Sequence, residues 1–297
     1  MTSVIQKYLS YLRYEKNYSS YTEISYSKDL AQFEEFVNLH YEGIKLSDIE
    51  SDIVRQWIAS LMESGISARS VNRKLSSLKS FYRYLTKIGE VKTNPLKRIT
   101  GPKAKKPLPS FVNDSDMETI LDSFAYTPDD SFDSYRDFTI LELFYVTGMR
   151  RAELINLKVE DIDLSAETIR VNGKRNKQRL IPFSKETKAV ITAYLEKRNS
   201  LDVNLSDRFF VKKDGNPVYP MLIYRLVHNQ LSGIPTLSKA SPHVLRHSFA
   251  TEMLNNGAEI NAVKELLGHS SLASTEVYTH TSFEELKKTY KKAHPRA

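Results

Sequence analysis

The sequence has no cysteine, which removes both disulfide frameworks and thiolate metal sites from consideration. No stretch approaches the roughly 20 apolar residues of a membrane span. The opening 16 residues mix Lys7, Arg13, Glu15 and Lys16 among their apolar positions, unlike a targeting segment. The expectation is a soluble, cytoplasmic protein with no membrane partner. There is no GxxxxGK phosphate loop and no acidic cluster arranged for magnesium, so neither nucleotide nor metal is expected as a cofactor. Internal repeats and low-complexity segments are also missing.

Positive charge is present, and it is concentrated. The 297 residues carry a formal charge of +7 from 43 basic and 36 acidic residues, a weak signal alone. Residues 51–106, however, hold thirteen Lys or Arg against three acids, whereas 113–145 hold nine acids and one Arg. A local excess of this kind is the electrostatic footprint expected for nucleic acid, although a solvated basic helix face gives the same count.

The length suggests two domains at about 150 residues each. Helical spacing of Tyr8, Tyr11, Leu12 and of Ile24, Leu30, Phe33, Phe36, Val37 predicts a small helical domain first. Its most informative helix starts after Ser67, an N-cap residue type, and runs to about Leu85. Val71, Leu75, Leu78, Phe81, Tyr82 and Leu85 make its apolar stripe. Arg69, Arg73, Ser76, Ser80 and Arg83 recur three or four apart on the other side, a face suited to a phosphate backbone. Residues 94–108, NPLKRITGPKAKKPL, combine three prolines with five basic residues and read as linker, with Lys103, Lys105 and Lys106 able to lie along DNA. The division expected is 1–100 as a helical DNA-binding domain, 101–112 as linker and 113–297 as a second domain. That second domain should be mostly helical, with helices at 114–124, 135–146 and from near Gly148. A β-hairpin of 168–171 and 179–182 around Asn172-Gly173, with a basic tip, interrupts them, and 208–211 reads as a further short strand. The fold class is therefore mainly α with a small sheet.

Four clusters carry chemistry-bearing residue types: TGMRRAEL from Thr147, NGKRNKQR from Asn172, HVLRHSFAT from His243 and LLGHSSLASTEVYTH from Leu266. Arg150 lies at the start of a helix, where guanidinium and helix N-terminus can face one anion. His243 and Arg246 are three apart and can address one phosphate together. His243 and His247 have the spacing of a zinc pair, but Val244 stands where a helical metalloprotease carries glutamate, so His247 reads as a packed structural residue. Lys174 sits just after the hairpin turn, with Lys177 as its competitor; a lysine there suits protonation of a leaving oxygen. Tyr278 is one of seventeen tyrosines, nine residues after His269 and near the end of a short helix that Ser270 or Ser271 would cap. A phenol of pKa about 10 attacks only where nearby cations stabilise its phenolate.

In this order and spacing the clusters resemble those of the tyrosine site-specific recombinases, relatives of lambda integrase and Cre. The likeness is greatest to the bacterial Xer recombinases, through RSVNRKLSSLKSFYRYL, GKRNK, LGHSSLASTEVYTH and the ending HPRA. The resemblance implies an N-terminal SAM-like core-binding domain and a catalytic domain that close round double-stranded DNA. It assigns Arg150 and Arg246 to clamping the scissile phosphate and Lys174 to protonating the leaving 5′ oxygen. His243 then supports proton transfer, His269 hydrogen-bonds the phosphate, and Tyr278 is the nucleophile that forms a 3′-phosphotyrosyl bond. The tyrosyl phosphate conserves the energy of the broken phosphodiester, so ATP is not needed. The resemblance further implies a homo- or hetero-tetramer with a related recombinase on paired sites, and a cell-division DNA translocase as a candidate partner. Chromosome or plasmid dimer resolution is the role it favours.

Arg151 and Arg175 depart from the commoner Xer pattern, which leaves room for an integrase or invertase of a mobile element. A non-catalytic DNA-binding regulator of the same fold and a type IB topoisomerase are the readings from other classes. The tail, with Phe283, Leu286 and Tyr290 at helical spacing, is expected to dock either on a neighbouring protomer or on its own chain.

Overall fold

The computed structural model describes residues 2–104, 111–124, 127, 130–173, 177–234, 237, 240–268 and 280–296. It divides into two compact units, Met1–Pro107 and Leu108–Ala297.

The first unit holds α1 (Ser3–Ser10), which continues into a π-helical turn (Tyr11–Glu15), then α2 (Ser20–His40), α3 (Ser51–Glu63) and α4 (Ala68–Lys87). Ser67 caps α4 by accepting from the Ser70 N–H, as its residue type suggests. The expected stripe of α4 is buried throughout and packs with Tyr8, Phe33 and Trp57; Phe33 and Trp57 meet edge to face at 5.0 Å. Ile24 is an exception to the predicted pattern, being 53 % exposed on α2.

The basic, proline-rich stretch does not begin as free linker. Leu96 and Ile99 are buried in the first core, Lys79 donates to the Ile99 carbonyl at 2.7 Å, and Asn72 donates to the Pro102 carbonyl at 2.9 Å. Two apolar side chains among prolines and lysines carry no periodicity for a sequence reading to detect, yet they anchor the segment to α4.

The second unit contains α5 (Asp114–Ser123), α6 (Phe132–Thr147), α7 (Arg151–Asn156), β1 (Ile162–Asp163), β2 (Thr168–Asn172), β3 (Gln178–Pro182), α8 (Lys185–Asn199), α9 (Pro220–Leu231), α10 (Pro242–Asn255), α11 (Ile260–Leu267) and α12 (His280–Ala293). The sheet is antiparallel in the order β1-β2-β3, with Ile169 opposite Ile181 and Val171 opposite Arg179. Asn172 pairs with Gln178, and the Gly173 N–H donates to the Lys177 carbonyl at 2.8 Å, at the base of the expected hairpin. Residues 208–211 form two isolated bridges, Lys158 with Arg208 and Val211 with Pro217, in place of the expected strand. Their apolar character comes from burial of Phe209, Phe210 and Val211 in the core.

Helix α6 is central: every residue from 138 to 147 is buried. The C-terminal α12 packs against this core in its own chain through Leu286, Tyr290 and Ala293. In the single chain the tail thus takes the second of its two expected dockings, on its own core. His294 follows, 4 % exposed, between the rings of Tyr145, Phe249 and Tyr290, and stacks on Tyr290 at 5.3 Å.

Burial pushes the His294 imidazole down to about 4, although the Tyr145 carbonyl and Asp114 favour its proton. The unfolded chain then binds a proton that the folded chain refuses between pH 6.5 and about 4. Across that window His294 should cost the second unit roughly 3 kcal/mol as pH falls, with no further change below it. Glu252 acts in the opposite sense: burial and its hydrogen bond with Asp114 hold it up at about 7, so its contribution is lost as pH rises. The difference in urea midpoints between wild type and His294→Phe, followed from pH 7 to pH 4, isolates the histidine. A constant difference would refute the assignment.

Candidate active site

The site is built where α6 ends. Gly148 has φ +56°, and a Cβ there would lie 2.6 Å from the Phe249 ring and 2.8 Å from Leu267, so only glycine permits this turn. Two residues later Arg150 occupies the N-cap of α7. Its backbone N–H donates to Glu153 Oε2 at 2.8 Å, and its Nη1 donates to Glu153 Oε1 at 2.7 Å. The Glu at N3 thus accepts from both the backbone and the side chain of the N-cap residue, which fixes the arginine at the helix start.

Arg246 reaches the same place from α10, one turn beyond His243. It is 8 % exposed and donates to the Gly148 carbonyl at 2.8 Å and to the Leu267 carbonyl at 2.6 Å. His243 is exposed in the first turn of α10, and His247 is half-buried. Arg150 Nη2 lies 3.4 Å from the Gly268 carbonyl. A third guanidinium, Arg179 from β3, donates to the Leu266 carbonyl at 2.7 Å and to both oxygens of Glu153 at 3.1 and 2.8 Å.

Three consecutive carbonyls at the C-terminus of α11 therefore meet three arginines. The unsatisfied carbonyls of a helix end and its negative pole favour cations in this position. The cations also repel one another. Burial, followed by the charges of Arg150 and Arg179, lowers Arg246 to about 10, against the opposing pull of Glu153. Burial alone would raise the Glu153 carboxyl, but its bonds from Arg179 and Arg150 hold it below the usual carboxylate range. Two guanidiniums are bonded to the Glu153 carboxylate and Arg246 feels only its charge, so an incoming phosphate relieves repulsion as well as gaining hydrogen bonds.

Arg150, His243 and Arg246 are thus on elements that converge, and the two arginines donate to adjacent carbonyls. Lys174, His269 and Tyr278, with Ser270, Ser271 and Arg175, lie outside the described residues. The segments that enter them are described: Gly173 and Lys177 at the hairpin base, and Gly268 at the αL cap of α11, φ +64°. Glu153 and Arg179 escaped the sequence reading. The signals were there, an acid three residues after Arg150 and an arginine at an inward register position of β3, opposite Val171.

On α4, Arg69, Ser76 and Arg83 are exposed and Ser80 is half-buried. Arg73 is exposed on one side but held by α2, donating to Ser25 and to both oxygens of Asp29, the second at 2.7 Å. Its charge is thus partly neutralised. Ser76 donates to the Asn72 carbonyl. Lys103 is exposed, whereas Lys105 and Lys106 lie outside the described residues. Among the described residues no cluster of His, Asp and Glu suits a metal ion, and no helix is long and apolar enough to cross a membrane.

The family model of the phage integrase family matches residues 110–285, and that of the phage integrase N-terminal SAM-like domain matches residues 5–89. The chain is a member of the phage integrase family. Within that family it is 36 % identical to tyrosine recombinase XerC of Chlorobaculum parvum, over 99 % of this chain and 94 % of the relative. To tyrosine recombinase XerC of Bacillus licheniformis it is 38 % identical, over 98 % of this chain and 95 % of the relative. Its fold is similar to that of the XerH site-specific recombinase bound to palindromic difH substrate in a post-cleavage complex. That match has a TM-score of 0.73 and 23 % identity, over 96 % of this chain and 83 % of that one. As a phage integrase family member the chain has the expected mainly helical fold, with a SAM-like first unit and a small sheet in the second.

Proposed function

We propose that this protein is a site-specific recombinase of Xer type, which cleaves and rejoins double-stranded DNA through a covalent bond between Tyr278 and a 3′ phosphate. The observation that carries the reading is the pair Arg150 and Arg246, held on the adjacent carbonyls of Gly268 and Leu267 just before His269. In the first step the Tyr278 phenol gives its proton to His243 and its oxygen bonds to phosphorus. The bond from phosphorus to the 5′ oxygen breaks, and Lys174 gives that oxygen a proton. Arg150 and Arg246 hold the two non-bridging phosphate oxygens, which share one negative charge, His269 donates a hydrogen bond to them, and His243 supports the proton transfers. Return attack by a 5′ hydroxyl on the tyrosyl phosphate expels the phenolate, a better leaving group than an alkoxide. Arg69, Arg73, Ser76, Ser80, Arg83, Lys103, Lys105 and Lys106 hold the DNA backbone. The assembly is a tetramer on two paired sites, made with itself or with a related recombinase, with a DNA translocase as accessory partner. The setting is the cytoplasm and the role is dimer resolution.

The test is to trap the protein on its host's fragmented DNA, sequence the attached fragments, and rebuild the recovered site as a duplex nicked beside the cleavage point. Wild type should accumulate a covalent adduct. Tyr278→Phe should bind and form none. Binding without an adduct in the wild type would instead identify a regulator, and relaxation of a supercoiled plasmid without site pairing would identify a topoisomerase. Fragments from one chromosomal locus support dimer resolution, whereas fragments from the ends of an element support an integrase or invertase.

A further inference from the structure

Arg179 belongs to none of the roles assigned above, yet it is 5 % exposed and meets the end of α11, Glu153 and the base of the hairpin. Its Nε holds the Leu266 carbonyl at the end of α11, and its Nη atoms hold both oxygens of Glu153 and, through Glu153, Arg150. A Cβ on Gly268 would lie 3.1 Å from its Nη1 and 3.2 Å from its Cδ, so the residue before His269 rests directly on this side chain. A Cβ on Gly173 would lie 3.9 Å from the same Nη1 and 3.2 Å from the Lys177 carbonyl, so the hairpin base, one residue before Lys174 in sequence, lies beside it as well.

We propose that Arg179 is a positioning residue for the cleavage reaction: it offsets the charge of Glu153, leaving Arg150 and Arg246 to the phosphate, and ties the entrances to Lys174 and His269 together. The proposal rests on the recombinase reading and deepens it. The charges explain why a neutral residue cannot substitute. The pentacoordinate phosphate of the transition state carries more negative charge than the ground-state diester. With Arg179 present, two guanidiniums are bonded to one carboxylate. Without it, Arg150 alone is bonded to Glu153, and the buried carboxylate opposes the charge that develops on the phosphate.

The two functions, charge balance and simple packing, predict different double variants. Arg179→Met should lower the single-turnover rate of adduct formation on the nicked duplex by about a hundredfold, while DNA affinity is nearly retained. Glu153→Gln with Arg179→Met removes the carboxylate together with its partner, and should recover about tenfold of that rate although more bonds are lost. A packing role predicts that the double variant is no faster than the single one. Arg179→Lys keeps the charge but cannot bridge Glu153 and Leu266 at once, so its rate should lie between wild type and Arg179→Met. This variant also decides the matter should Arg179→Met fail to fold. Wild-type rates in Arg179→Lys and Arg179→Met, or no recovery in the double variant, would overturn the proposal while leaving the Tyr278 adduct intact. Loss of that adduct in the wild type would instead overturn the recombinase reading and this proposal with it.

Discussion

Replacing Arg246 by Ala lowers adduct formation by at least about a hundredfold to a thousandfold, the loss associated with one well-placed charge-stabilising donor. Two effects act together. The phosphate loses a guanidinium held rigidly in a buried setting, where electrostatic stabilisation requires no reorganisation during the reaction. The Gly148 and Leu267 carbonyls also lose their donor, which lies 2.8 and 2.6 Å away. Each orphaned carbonyl costs about 1–3 kcal/mol, so the turn after α6 and the end of α11 loosen as well. Arg246→Lys separates the two contributions. Lysine retains the charge on a single nitrogen and cannot span both carbonyls while facing a phosphate. It should therefore fold better than the alanine variant and still cleave about a hundredfold more slowly than wild type. Single-turnover cleavage and DNA affinity, measured side by side, provide the check. A rate within tenfold of wild type for Arg246→Ala would remove Arg246 from the phosphate.

Arg246 was legible in the sequence because it lies one helical turn from His243, and local spacing is what periodicity reports. The same is true of the buried stripe of α4 and of the hairpin strands, whose alternation survives in the observed register. Residues paired over long separations were not legible. Asp29, which takes both Nη atoms of Arg73, is 44 residues away from it, and Glu153 is 26 residues from Arg179. No periodicity relates such partners, so Arg73 resembled a free basic side chain and Arg179 an ordinary strand residue. The two-residue β1 is too short to alternate. In 208–211 an apolar run destined for the core has the composition of a strand without its ladder.

The end of the chain shows how far a local pattern can be taken. Phe283, Leu286 and Tyr290 define an apolar face, but a face does not identify its partner; the buried surroundings of Tyr290 do. Its ring is 1 % exposed and stacks on His294, and its hydroxyl donates to the Val146 carbonyl at 3.0 Å. Val146 lies in the last turn of α6, two residues before Gly148, so α12 braces the helix that delivers Arg150. Tyr290→Ala should destabilise the second unit by about 4 kcal/mol, the cost typical of deleting a large buried aromatic. Tyr290→Phe keeps the ring and leaves the Val146 carbonyl without that donor, which should cost about 1–3 kcal/mol. Chemical denaturation of the DNA-free protein measures both. If the alanine variant unfolds at the wild-type midpoint, α12 does not hold this core in its own chain, and its apolar face is available to a neighbouring protomer.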